Sequence, residues 1–283
     1  MNYDLHSHSI ASVGTLSPAS LVDEAVKAGV THLALTDHDT IAGLAEARRA
    51  ADKQPLELIP GAEFSALWQG RTIHIVGLHL DTDSPILHSG IQQQLDFRDW
   101  RGREIARRLE QKANVPDAYE GALSYVHGGL VSRSHFARYL VQIGFARDFA
   151  QGIKKYLVKG KPGYVRGEWA SLEAVTGWIR QANGIAVLAH PARYDLTATK
   201  LKSLLADFTE HGGEAIEVLS GSHSPSDVAT MTGHALRFNL LASAGSDYHG
   251  PENPWISLGR LPQMPEACTA IWQSEILQQR MAA

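Results

Sequence analysis

Short apolar runs that end in histidine or aspartate recur along the whole chain, and helix-patterned segments separate them. Asp4-Leu5-His6-Ser7-His8 comes first, Leu33-Ala34-Leu35 leads into Thr36-Asp37-His38-Asp39, and Leu240-Leu241-Ala242 leads into Gly245-Ser246-Asp247-Tyr248-His249. A buried strand that ends in polar donors, repeated with helices between, restricts the fold to an α/β architecture with a mainly parallel sheet. The helix signals are explicit. Ser17 is placed to cap and Pro18 to occupy the first helical position of a segment that continues to Ala28 and stops at Gly29. Further strands are read at 30–36, 56–63, 71–80, 185–189, 215–219 and 241–244, with helices at 41–51, 172–183, 199–211 and 226–238.

Candidate ligands decide between an open sheet and a closed one. His6, His8, His38, Glu63, His190, Glu217, Asp247 and His249 fall at or just beyond the ends of separate apolar runs, while His74 lies inside its own. Strand ends converge on one mouth in a barrel, which is where barrel enzymes keep their chemistry. The segment 96–170 interrupts the alternation with an arginine-rich helix, carrying Arg98, Arg101, Arg103, Arg107 and Arg108, and shorter helical pieces at 134–143 and 149–156. The expected organisation is therefore a barrel domain from residues 1–95 and 171–283, with 96–170 as a helical subdomain inserted over its mouth. Those arginines read either as an anion-binding surface or as a solvated helix face.

In an extended strand, residues i and i+2 share a face, so His6 and His8 can aim both imidazoles at one point. A lone histidine is read as a hydrogen-bonded core or surface residue; the coincidence of so many strand ends carries the metal reading. All the donors are nitrogen or oxygen, which suits a catalytic site for manganese, zinc or iron better than a cysteine-built structural zinc site. The single cysteine, Cys268, excludes an intramolecular disulfide framework and suits a reducing compartment. With 283 residues and a net charge of −4, the chain can bury a large core and has no general nucleic-acid coating surface. No apolar run approaches the ~18 residues of a membrane span. A cytoplasmic protein is expected, with no membrane association and no obligate protein partner.

The motifs Asp4-Leu5-His6-Ser7-His8, Thr36-Asp37-His38-Asp39, Gly61-Ala62-Glu63, His74-Ile75-Val76-Gly77, Ala189-His190-Pro191 and Gly245-Ser246-Asp247-Tyr248-His249 resemble, in order, those of the PHP (polymerase and histidinol phosphatase) family of metal-dependent phosphoesterases. The inserted segment, with Val131-Ser132-Arg133-Ser134-His135 and Tyr156-Leu157-Val158-Lys159-Gly160-Lys161-Pro162, is most similar to the group containing 3′,5′-nucleoside bisphosphate phosphatases and 5′-to-3′ exoribonucleases. The resemblance implies a distorted (β/α)7 barrel with the inserted helical subdomain capping it. It also implies at least two divalent ions, manganese first among the candidates. His6, His8, Glu63 and Asp247 would hold one, and Glu63, His74 and His190 the other, with Glu63 as the bridge. The third family site would use His38 and His249 with an Asp, but that position is Val13 here, so weak or absent occupancy is expected.

Two ions sharing a carboxylate acidify a water and neutralise phosphoryl oxygens, which is the chemistry of phosphate ester hydrolysis. His38 and His249 are then candidates to touch phosphate or to protonate the leaving group, and Asp37 to orient a ligand. Arg98, Arg101, Arg133, Ser134 and Lys161 would hold a second phosphate, with His135 and His223 beside the pocket. The leading expectation is hydrolysis of the 3′-phosphate of nucleoside 3′,5′-bisphosphates. Exoribonuclease action on short RNA, a metal-binding module without turnover, and histidinol phosphate phosphatase activity are the alternatives.

Overall fold

The computed structural model describes residues 1–274; the end of the expected barrel segment, 275–283, lies outside the described residues. Seven strands run in the order β1(Tyr3–Asp4), β2(His32–Leu35), β3(Glu57–Trp68), β4(Arg71–Leu78), β5(Ile185–Leu188), β6(Ala215–Ser220) and β7(Leu241–Gly245). The first and last are drawn together by Leu5 N–H donating to Ala244 O, His8 N–H to Tyr248 O and Asp247 N–H to His6 O, each at 2.9 Å. These contacts nearly close the sheet into a barrel, as the convergence of strand ends requires.

One strand departs from the parallel pattern. β4 is antiparallel to both β3 and β5, because Gln69 (φ 43°) and Gly70 (φ 75°) form a two-residue hairpin that turns the chain straight back. Two consecutive positive φ values match the right-handed twist of a hairpin and favour glycine in the turn. β3 consequently runs on to Trp68, five residues past the Glu63 at which the apolar run reads as ending, and pairs with β4 along its whole second half. Glu63 therefore sits within a strand, held on both sides.

Helices α1(Pro18–Lys27), α2(Leu44–Ala51), α7(Leu172–Gln181), α8(Ala198–Glu210) and α9(Pro225–Arg237) surround the sheet. The hydroxyls of Ser17, Ser171, Thr197 and Ser224 accept from backbone N–H groups in the first turns of α1, α7, α8 and α9. Each cap satisfies a donor that the helix itself leaves unpaired.

Helix α3(Pro85–Ala113) is longer than the 96–112 read from the sequence, and it is continuous through residue 96. Its early residues Leu87 and Ile91 pack into the barrel core with Phe64 and Val175, while Ile105, Ala106 and Leu109 pack into a second core. That second core is completed by α4(Ala118–Leu123), α5(Arg133–Gln142) and the π-turn Ile153–Leu157, which follows α6(Phe149–Gly152), through Ala122, Phe136, Leu140 and Leu157. The change from one core to the other falls inside a rigid helix, so α3 fixes the helical segment over the barrel.

The seam between β7 and β1 leaves no room for a side chain at Gly245, where a Cβ would stand 2.2 Å from His6 Cβ and 2.8 Å from its nitrogen. Gly245→Ala is therefore expected to lower unfolding free energy by about 1–3 kcal/mol, the usual cost of overpacking, and to displace His6. Urea denaturation measures it; a stability equal to wild type would mean the seam is loose.

Candidate active site

Glu63 is fully buried, and five imidazoles surround its carboxylate. Oε2 lies 3.4 Å from His6 Nε2, 3.3 Å from His8 Nε2 and 2.8 Å from His38 Nδ1, while Oε1 lies 2.9 Å from His74 Nδ1 and 3.0 Å from His190 Nε2. The β3 strand supplies Glu63, neighbouring β4 supplies His74, and the turns after the barrel strands supply the rest. Asp247, at φ 57° just past β7, places Oδ1 3.2 Å from His8 Nε2 and 3.6 Å from His6 Nε2. Three groups of ligand atoms each fall within 4.8 Å of one another: His6, His8 and Asp247; His38, Glu63 and His74; His8, His38 and His249.

These donors fit divalent cations. Glu63 Oε2, His38 Nδ1, His8 Nδ1 and His190 Nδ1 are buried without a hydrogen-bond partner, and Oε2 and His38 Nδ1 stand 2.8 Å apart with no hydrogen bond between them. Buried polar atoms are ordinarily paired, so Glu63 Oε2 and His38 Nδ1, facing each other, answer to an ion rather than to the protein. Glu217, a strand-end residue outside the expected ligand set, supports this arrangement. Its Oε1 accepts from His6 Nδ1 at 2.6 Å and its Oε2 from the His190 N–H at 2.6 Å. Holding His6 Nδ1 in this way leaves Nε2 as the nitrogen turned to the cluster. A bulge in β6 between Glu217 and Leu219 accompanies this placement.

The electrostatics divide the histidines. Burial alone would depress His6 and His8, but Glu217, Glu63 and Asp247 raise His6 well above the usual value, and Asp247 and Glu63 raise His8 to about 9. Burial wins at His38, which is held well below the usual range, and at His249, lowered to about 4 with help from His8. Burial would raise Glu63 and Asp247, yet the surrounding imidazoles hold both well below the carboxylate range.

Two expectations change here. His249 Nδ1–H donates to Asp247 O at 2.8 Å, leaving Nε2 unprotonated in a residue that is neutral at pH 7. Burial favours the neutral form of His38 as well. Asp37 contacts no ligand histidine. Its carboxylate accepts from Ser9 N, Ser9 Oγ and Ser12 Oγ at 2.6–2.8 Å and so shapes the loop that carries Val13.

A cavity of about 380 Å³ opens on this cluster, lined by His38, Glu63, His74, His190, Asp247 and His249 at one end and by Arg98, Arg101, Arg133 and Ser134 at the other. Val13 lines it too, beside His38 and His249. Arg98 is partly neutralised: its Nη2 lies 2.5 Å from Asp39 Oδ2. Arg101 is not. Its Nε is buried without an acceptor, and burial together with Arg133 and Arg98 lowers it to about 9. Arg133 reaches solvent through the mouth although protein encloses most of it, and it has no carboxylate partner among the described residues.

Lys161, His135 and His223 do not line this cavity. Lys161 is exposed on a turn, His135 Nδ1 accepts from Ser132 N at 3.1 Å as a helix cap, and His223 Nδ1 donates to Val218 O at 3.1 Å. The sequence reading also passed over Arg193, which pairs with Asp247, and Tyr194, whose hydroxyl accepts from His74 N at 2.9 Å and donates to Ala189 O at 2.7 Å. Only their position just after His190-Pro191 marked them. Trp169 lies under Arg98 and Arg101 at 5.1 and 5.6 Å.

Comparison with known proteins agrees with this geometry. The PHP-domain profile matches residues 4–166. A Salmonella typhimurium protein named 5′-3′ exoribonuclease Rnm is 47% identical over 274 residues, covering 96% of this chain and 93% of its own. A Chromobacterium violaceum protein named 3′,5′-nucleoside bisphosphate phosphatase is 42% identical, covering 96% and 95%. A solved structure from Chromobacterium violaceum, described as an amidohydrolase with bound sulfate and no metal, superposes with a TM-score of 0.92 at 42% identity, covering 99% of this chain and 97% of that one. The chain belongs to the PHP-domain family. Its mixed, nearly closed seven-strand barrel is the fold of these relatives.

Two outcomes follow from the cluster. Because His8 holds its proton up to about pH 9, an ion that takes its lone pair must expel that proton, so affinity should rise about tenfold per pH unit for each proton released below that pH. Titration calorimetry with manganese in two buffers of different ionisation enthalpy should show net proton release at pH 7; zero release would remove His8 as a ligand. Val13→Asp should add one tightly held ion per chain, measured by elemental analysis after gel filtration. An unchanged content would mean that the missing carboxylate does not limit the third site.

Proposed function

We propose that the protein is a metal-dependent phosphoesterase that removes the 3′-phosphate of nucleoside 3′,5′-bisphosphates, leaving the 5′-monophosphate. The observation that carries this reading is the single cavity with a cation-seeking carboxylate–imidazole cluster, which would draw phosphate once it holds metal, and the under-neutralised pair Arg101 and Arg133. A substrate with one phosphate satisfies one end. A bisphosphate satisfies both, and the relative named as a bisphosphate phosphatase supports the choice.

In this reading His6, His8, Glu63 and Asp247 hold one divalent ion, and Glu63, His74 and His190 a second, with manganese the first candidate. When bound, the ions supply positive charge for the phosphoryl oxygens and an acidified water as nucleophile. The chain's own residues do the rest. Arg101 and Arg133 make paired hydrogen bonds to the 5′-phosphate, with the Ser134 hydroxyl beside them. Arg98, steadied by Asp39 and by Ser65 Oγ at 3.2 Å, adds positive charge between the two ends. His38 and His249, both neutral, offer lone pairs at the third position, and Val13 leaves that position one carboxylate short. Water adds to phosphorus as the P–O3′ bond breaks; of its two protons one ends on the departing 3′-oxygen and the other goes with the released phosphate.

The exoribonuclease reading breaks the same P–O3′ bond in a diester and is supported by the Salmonella typhimurium relative. Phosphate release in manganese from adenosine 3′,5′-bisphosphate, 3′-AMP and histidinol phosphate, together with mononucleotide release from a short 5′-phosphorylated RNA, tests both. The bisphosphate should exceed 3′-AMP by at least about tenfold in kcat/KM, since one charge-assisted phosphate contact contributes about 1.5–3 kcal/mol. Arg101→Gln with Arg133→Gln should erase that preference, and Glu63→Gln should abolish turnover. Hydrolysis of no ester would leave a metal-binding module without catalysis; preference for histidinol phosphate would move the substrate class.

A further inference from the structure

A second cavity of about 560 Å³ adjoins the first and shares Thr72, Tyr164, Gly167, Arg193 and Tyr194 with it. It lies between the tip of the β3–β4 hairpin and the stretch 159–167, and the turn after His190 closes one side. Its walls carry Arg71, Lys159, Arg166 and Arg193 and no carboxylate. Arg193 pairs with Asp247, but among the described residues Arg71, Lys159 and Arg166 have no carboxylate partner. On α3, by comparison, Arg103 pairs with Asp99, and Arg107 and Arg108 pair with Glu104. In a chain with net charge −4, three cations without a carboxylate partner among the described residues thus gather around one cleft.

Position identifies the ligand. The cleft reaches the cluster end of the catalytic cavity through Tyr194 against His74 and Arg193 against Asp247; it also touches the arginine end through Tyr164, though Arg101 and Arg133 are not among its walls. A terminal 3′-phosphate ends at the cluster and needs no exit. A phosphodiester continues from the same phosphorus through its O5′ to the next nucleotide, which must leave the cavity on that side. A third cavity also adjoins the first, but its walls are mostly small and apolar, and its only cation is Arg98, already paired with Asp39.

We propose that the Arg71, Lys159 and Arg166 cleft seats the backbone of single-stranded RNA downstream of the scissile phosphate, so that one catalytic cluster serves both a bisphosphate and a 5′-phosphorylated oligoribonucleotide. This rests on the phosphoesterase reading above. Single strands bind such tracks through phosphate contacts that release counterions, so the cleft adds salt-dependent affinity for RNA and none for a mononucleotide.

The test is the double variant Arg71→Gln with Arg166→Gln, two exposed positions outside the catalytic cavity. With a 5′-phosphorylated pentaribonucleotide, KM should rise about tenfold with kcat held within twofold. The slope of log KM against log salt should fall by about 0.7 for each phosphate that the variant no longer engages. Kinetics on adenosine 3′,5′-bisphosphate should stay within twofold, and Arg107→Gln, a paired surface arginine, should change neither substrate. In a Glu63→Gln background, fluorescence anisotropy of the labelled RNA should show the same tenfold loss of affinity without turnover. Equal effects on both substrates, or none on RNA affinity, overturn the proposal. Bisphosphate turnover with no RNA binding overturns it while leaving the function above intact. RNA binding through the cleft with no ester hydrolysed overturns that function instead.

Discussion

The structure depends on one buried carboxylate. Glu63 is fully enclosed and has imidazoles within 3.4 Å of both its oxygens. An isolated carboxylate in such a place would cost several kcal/mol and would take up a proton. Here the histidines reverse that tendency, and the pleat of β3 points the side chain to the barrel's inner face while β4 places His74 beside it. The closed sheet and the ligand cluster are thus one construction: the strands that bury Glu63 are those that bring histidines from distant parts of the chain to it.

Much of this was legible because strand periodicity and strand termination are local. His6 and His8 share a face through the i, i+2 rule, and their Nε2 atoms meet at 3.2 Å. Ser17 and Pro18 opened α1 as their chemistry requires. What escaped was non-local or conformational. The β3–β4 hairpin turns on Gln69 and Gly70, where the signal is a pair of positive φ angles rather than a familiar dipeptide, so β3 read five residues short. α3 read as starting near 96 because residues 85–95 mix buried Leu87, Gly90 and Ile91 with exposed glutamines. Its cap, Ser84 before Pro85, marks the true start.

The same limit applies to the histidines and aspartates around the cavity. His38, His135, His223 and His249 look alike in a sequence, but their partners differ. His135 caps a helix, His223 holds a strand carbonyl, and His38 and His249 meet His8. Asp37 and Asp39 stand two residues apart, yet one fastens the Ser9–Ser12 loop and the other, in a left-handed conformation at φ 53°, holds Arg98. No spacing rule distinguishes them; the turn after β2 does.

Arginine pairing, finally, converts a charge count into a functional map. A guanidinium on a surface helix with a carboxylate one turn away is paired, screened by solvent and attracts little else. Arg103, Arg107 and Arg108 are of that kind. Arg101 keeps a buried N–H without an acceptor beside two other guanidiniums, an arrangement that raises the free energy of the empty cavity and is relieved by an anion. Selection for stability alone would have placed a carboxylate there, as Asp39 stands against Arg98. The cavity therefore carries two opposite local costs, an unpaired donor at the Arg101 end that an anion relieves and unpaired lone pairs at the Glu63 end that a cation relieves.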